Sequence, residues 1–181
     1  MKKDGIVVWL TGLSGSGKTT IAQKLKELII TRNVNVEILD GDIVRTFLSQ
    51  GLGYSKNDRE INIRRVGYVA NLLSSNGVIV IVALISPYRA IRDEVRLMTN
   101  NFIEVYVNAP IQTCEMRDVK GLYAAVRSGE ITGFTGIDDP YEAPLQADII
   151  CFTDQESIEE SIFKIVRILE DRDFIQVAWR N

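Results

Sequence analysis

Within its first twenty residues the chain carries Gly12-Leu13-Ser14-Gly15-Ser16-Gly17-Lys18-Thr19, a complete G-x-x-x-x-G-K-[ST] pattern. Nothing else in the sequence restricts the fold so tightly. The run Ile6–Leu10 ahead of it is apolar and β-branched, and the pattern after Lys18 is helical, so the loop joins a buried strand to the start of a helix. Glycines let backbone N–H groups turn inward around phosphate oxygens, and the helix adds its positive N-terminal end. Lys18 is suited to reach the β and γ phosphates of a nucleoside triphosphate, and Thr19 to offer a hydroxyl to Mg²⁺, with Thr20 closing the nucleotide-binding stretch. A glycine turn that merely caps a helix is the bland alternative; it leaves the matched positions and their flanks unexplained.

Further apolar runs predict strands at Val36–Leu39, Val78–Leu84, Ile103–Val107 and Asp148–Phe152, each with little polar alternation, as in strands covered on both faces. Helical patterns fall between them at Lys18–Thr31, Asp58–Ser75, Tyr88–Thr99, a short stretch near Ile111, and Ser157–Asp171. Strands alternating with helices predict an α/β fold: a mainly parallel five-stranded sheet with helices on both faces. The chain of 181 residues fits one domain. From about Arg117 to Pro144 periodicity fades and Gly121, Gly129, Gly133, Gly136 and Pro140 appear, predicting a short helix inside a long, mobile lid. The tail with Phe174 and Trp179 is expected to dock on the core.

Composition removes several classes. The formal charge of −3 is spread over 21 basic and 24 acidic residues, so no nucleic-acid or membrane patch is expected. The apolar run after the N-terminal lysines is too short for a signal segment, and no run reaches the about 20 residues of a bilayer span, which predicts a soluble, cytoplasmic protein. Cys114 and Cys151 make neither a disulfide framework nor a metal cluster and read as buried small residues. Histidine is absent, so proton handling falls to carboxylates, lysine or water.

Asp40 and Asp42 close the second predicted strand, at the end where open α/β sheets gather ligands. Asp42 is the first choice for a base or a water-mediated magnesium partner, and Asp40 the second. An N-cap for a helix beginning near Ile43 explains an aspartate there equally well, and the two roles are compatible. In "SKNDREINIRRVG", Arg59 and Asn62 lie three apart on one helix face and could grip one anion; a solvated helix surface accounts for the run as well. Ser86, Pro87 and Arg89 follow the third strand in the same manner. A switch or motor needs only nucleotide and water, whereas these cationic groups at strand ends favour a second, anionic substrate.

Taken together, "GLSGSGKTT", "LDGDIVR", "LGYSKNDREINIRRVG", "ISPYRAIRD", "CEMRDVKGLY" and "GEITGFTGIDDPYEAP" resemble the adenylylsulfate kinase family over nearly the whole chain. The resemblance implies the P-loop kinase fold, Mg²⁺, and transfer of the ATP γ-phosphoryl group to the 3′-hydroxyl of adenylylsulfate. It implies a homodimer and leaves open an association with ATP sulfurylase. Carried onto matching positions, it puts Asp42, Arg45, Tyr54, Arg59 and Asn62 around adenylylsulfate, with Phe134 stacked on its adenine opposite Tyr54. Arg117 becomes an ATP-side lid residue, and Lys120 a catalytic lysine near phosphates and substrate. Ser86 falls at the family's active-site serine, sometimes described as a phosphoserine, although in-line transfer needs no enzyme nucleophile. The chain departs from the family pattern at Ile43, Thr46, Leu84, Ala124 and Ala125. A kinase for another anhydride-bearing nucleotide and a silent nucleotide-binding module are the competing readings.

Overall fold

The computed structural model describes residues 4–176. Five strands, β1 (Ile6–Thr11), β2 (Val36–Asp40), β3 (Ile79–Ala83), β4 (Phe102–Asn108) and β5 (Ile149–Phe152), form one sheet in the order β2-β3-β1-β4-β5. Every pairing is parallel. The helices are α1 (Lys18–Ile30), α2 (Gly41–Phe47), α3 (Lys56–Ser74), α4 (Arg89–Leu97), α5 (Ile111–Arg117), α6 (Leu122–Arg127) and α7 (Ile158–Asp171).

The strand bearing the phosphate-loop motif lies at the centre and is buried along its whole length. Its alternation divides the core: Ile6, Val8 and Leu10 join α1 and α7 on one face, while Val7 and Trp9 join α3 and α4 on the other. Fully burying side chains of this size contributes about 1.5–3 kcal/mol each, so the central strand is a fixed base for the loop it carries. Helix starts are written in the sequence. Ser157 and Glu160 make a reciprocal capping box on α7, and Ser55 accepts from the Asp58 N–H at the start of α3.

The expected strands and principal helices form, with ends shifted by a residue or two, as helix ends fray. The segment beginning near Ile43 is the short helix α2, capped by Asp40. The lid contains α6 and a single bridge between Thr135 and Asp139, and it is fastened at several points. The Tyr123 hydroxyl donates to the Ser14 carbonyl at 2.9 Å, and the Tyr141 hydroxyl lies 2.9 Å from the Thr11 Oγ1. Ile175 is buried in the core and Phe174 packs beside it, as expected of a docked tail; Trp179 and the N-terminal lysines lie outside the described residues. Among the described residues no helix is long and apolar enough to cross a membrane. Both cysteines are buried and unpaired.

Candidate active site

All five strands point their carboxyl ends at one rim, and two cavities open there. The first, about 680 Å³, is lined by the phosphate loop, the start of α1, Asp40, Arg117 and the residues after β5. Close approach fixes the loop path: a Cβ at Gly12 would sit 2.3 Å from the Val107 carbonyl oxygen, and Gly15, at φ 75°, would put one 2.9 Å from that of Cys114. The Lys18 ammonium is buried and donates to the carbonyls of Gly12 at 2.9 Å and Leu13 at 2.6 Å. Burial lowers its pKa to about 8, against the opposing pull of the Asp40 and Asp42 carboxylates. Thr19 donates to Asp40 at 2.9 Å, while the other oxygen of Asp40 caps α2 through the Asp42 N–H. Asp40 therefore serves the cradle and the helix cap at once. Leu13 turns its side chain away from the nucleotide side into a small cluster with Ile111 and Phe134.

Arg117 lines this cavity, but its guanidinium is committed to protein. It donates to the Thr153 carbonyl at 2.6 Å and hydroxyl at 3.1 Å, and Thr153 donates in turn to the Ser16 carbonyl at 2.7 Å. Thr153 was not singled out by the sequence reading. The signal available was its position directly after the apolar run of β5, at a carboxyl strand end.

The second cavity, about 470 Å³, is lined by Asp42, Arg45, Tyr54, Arg59, Asn62, Ser86, Lys120 and Phe134, so residues drawn from five separate segments meet there. Tyr54 is 67% exposed, and the Arg45 guanidinium stacks on its ring at 4.4 Å. Asn62 is only 4% exposed and its Oδ1 has no hydrogen-bond partner. A buried oxygen left unsatisfied costs about 1–3 kcal/mol, so Asn62 brings an open acceptor to the lining of this cavity.

Three expected contacts take a different form. Arg59, anticipated as an anion grip, spends most of its donors on protein: Nε on the Tyr54 carbonyl at 2.7 Å, the others on Gly133, Thr135 and Asp139. It ties α3 to the lid while its side chain still lines the cavity. Arg89 lines neither cavity; its Nε lies 3.6 Å from the Glu142 carboxylate, which also accepts the Arg89 N–H at 2.8 Å. The Ser86 hydroxyl is turned inward, accepting from the Trp9 indole at 3.0 Å and donating to Thr11 at 3.0 Å. Ser86 is 3% exposed at φ 41°, a left-handed backbone that a serine adopts only when its surroundings enforce it. Among the departures, Leu84 is buried against Gly41, Ile43 faces outward, and Thr46 bonds back to the Asp42 carbonyl within α2.

Six residues line both cavities, and two of them are ionised: Asp42, whose side chain is 72% exposed, and Lys120, which pairs with it across the gap from the lid. Hydrolysis of a nucleotide by water has no use for a second chamber built of arginines, aromatics and an unsatisfied amide. The sheet order, the phosphate cradle and the adjoining acceptor chamber are those of a P-loop kinase. A family model described as adenylylsulphate kinase matches residues 4–152, and the chain belongs to that family. It is 59% identical over 175 residues to an adenylyl-sulfate kinase of Rippkaea orientalis, covering 97% of each chain. Identity to the corresponding protein of Microcystis aeruginosa is 56% over 178 residues, covering 98% of each. The Mycobacterium tuberculosis APS kinase CysC, solved in complex with AMPPNP and APS, superposes with a TM-score of 0.89 at 42% identity, covering 92% of this chain and 98% of that one.

Proposed function

We propose that the chain transfers the γ-phosphoryl group of ATP to the 3′-hydroxyl of adenylylsulfate, with ATP in the larger cavity and adenylylsulfate in the smaller. The observation that carries this reading is the wall the two cavities share, because a phosphoryl group moving in line between two ligands must cross there. Asp42, a carboxylate on that wall in a chain without histidine, takes the proton of the acceptor hydroxyl. Lys120 and Lys18 balance the charge on the travelling phosphoryl oxygens from the lid and from the cradle. Tyr54 and Phe134 stack on the acceptor base, Arg45 and Arg59 face its anhydride, and Asn62 satisfies its free oxygen on the ligand. Ser86 shapes the chamber through its backbone; both hydrogen-bonding directions of its hydroxyl are spent on Trp9 and Thr11, which supports direct transfer without a phosphoserine.

Mg²⁺ fits the donor side. Thr19 would hold it directly and Asp42 through water, while Asp40 orients the Thr19 hydroxyl. Such an ion takes most of its ligands from triphosphate and water, so few protein oxygens suffice. When bound, it neutralises charge between the β and γ phosphates.

The reading includes a single domain over residues 1–181 with a closing lid at about 117–144, and a cytoplasmic setting where ATP is supplied. It also includes a homodimer, supported by the exposed Tyr68 and Leu72 one turn apart on α3. An association with ATP sulfurylase rests on the family resemblance alone. Incubation with ATP, Mg²⁺ and adenylylsulfate should release ADP and 3′-phosphoadenylylsulfate. Phosphorylation of another nucleotide in preference, or binding without turnover, overturns the reading.

A further inference from the structure

Of the charged groups near the site that the mechanism does not use, the most deeply placed is Arg92. It sits on α4, 2% exposed, and its guanidinium points in three directions at once. Nε donates to the Glu104 carboxylate at 2.7 Å, Nη1 to the Ser86 carbonyl at 2.7 Å, and Nη2 to the Glu142 carbonyl at 2.7 Å. Glu104 belongs to β4, Ser86 to the acceptor chamber, and Glu142 to the base of the lid.

A buried ion pair is a poor source of stability, because desolvating two charges offsets most of their attraction. Its use must be sought in what it holds. Ser86 occupies a left-handed backbone at φ 41°, and strain of that kind persists only where neighbours over-determine it. Arg92 is the charged neighbour on its carbonyl. The lid base is joined to the same turn by two more bonds, the Glu142 N–H donating to the Pro87 carbonyl at 2.8 Å and the Glu142 carboxylate accepting the Arg89 N–H, and to the end of β1 where Tyr141 meets Thr11. Glu104, in turn, receives Arg96 at 3.4 Å, so the anchor on β4 is itself braced.

We propose that Arg92 is a positioning residue for the acceptor: it makes the Ser86 turn and the lid base one rigid piece referenced to β4, and so sets the acceptor chamber without touching either ligand. A lysine cannot substitute, since one ammonium on a flexible stem keeps Glu104 but not both diverging carbonyls. The inference rests on the functional reading above and gives the acceptor side of that site its rigid frame.

The test is Arg92→Lys in the full chain, with kcat and the KM for adenylylsulfate measured beside the Kd of a non-hydrolysable ATP analogue. Misplacement of the turn should raise the acceptor KM about 10-fold and lower kcat by a similar factor, leaving the analogue Kd within about twofold. A general loosening of the fold would move donor and acceptor affinities together, and that result overturns the proposal. Should Arg92→Lys fail to fold, Arg92→Met with Glu104→Met removes both charges at similar volume, an exchange buried pairs often tolerate. The double variant should show the same split between acceptor KM and analogue Kd; a folded double variant with unchanged acceptor KM overturns the proposal. Unmodified chain that makes no 3′-phosphoadenylylsulfate overturns the functional reading and this inference with it. Normal turnover alongside unaffected variants overturns the inference alone.

Discussion

The two chambers are built on different principles. The phosphate cradle of the donor chamber is one contiguous stretch, Gly12 to Thr20, whose backbone groups turn inward at the end of the most buried strand. The acceptor chamber is assembled from side chains that come from α2, the segment leading into α3, α3 itself, the turn after β3, and the lid. A backbone cradle tolerates little variation in the chain that forms it, whereas a chamber of side chains can be altered piece by piece. The difference separates what the fold conserves mechanically from what it leaves adjustable.

Substitutions should break along that line. Lys18→Ala carries the largest expected effect, a fall in kcat of about 10³-fold, because it removes the donor-side charge from the phosphoryl group in flight. Equilibrium binding of adenylylsulfate to the variant should stay near normal, and a parallel loss would erase the distinction between the chambers. Asp42→Asn should cost about 10²-fold in kcat with little change in the affinity for an ATP analogue, measured by titration calorimetry. Near-normal turnover would remove Asp42 from proton transfer. Arg59→Ala should raise the acceptor KM about 10-fold and increase protease cleavage within 130–140, since the same guanidinium lines the chamber and holds the lid. An unchanged acceptor KM would confine Arg59 to the lid.

The smallest effect belongs to pH and concerns the donor side alone. Burial depresses the Lys18 pKa to about 8, so the free cradle loses its positive charge as pH rises through that value. Affinity for the ATP analogue should weaken about threefold between about pH 7.5 and 8.5, with proton uptake on binding that is absent at pH 6 and absent in Lys18→Ala. The sign for stability is opposite: charged Lys18 is disfavoured by burial, so its contribution grows less unfavourable as pH rises from about 8 toward its ordinary value.

The same contrast governs what could be read from the sequence. The apolar runs of all five strands and the cradle motif, whose every position has a backbone reason, were legible, but only the central β3, β1 and β4 are covered on both faces as those runs suggested; the edge strands β2 and β5 are partly exposed. Asp42 and Lys120 could be named, but their meeting on a common wall follows from the path of a lid that has no periodicity. Arg59 shows the limit most clearly. Residue type and helix face are visible in "DREIN", yet whether the guanidinium meets a ligand or Gly133 depends on a contact 74 residues away. Ser86 is similar, since no local pattern indicates that its hydroxyl faces Trp9, 77 residues earlier. Arg92 did leave a trace: it shares the buried stripe of α4 with Ile91 and Val95, where a charge is costly unless it is paired.

The parallel sheet has one more consequence, for anyone who would make this chain hardier. Every ligand-facing group sits at the carboxyl rim, so the turns entering β2, β3 and β4, at residues 31–35, 75–78 and 98–101, lie at the opposite end. Most enzymes trade activity for robustness because the strained and the functional positions coincide. Here Ser86 and the cradle glycines carry that strain at the rim, whereas the three entering turns lie a strand's length away from it. Turn substitutions confined to those three segments should move the Tm while kcat stands still, which offers a direction for engineering that runs along the sheet and away from the chemistry.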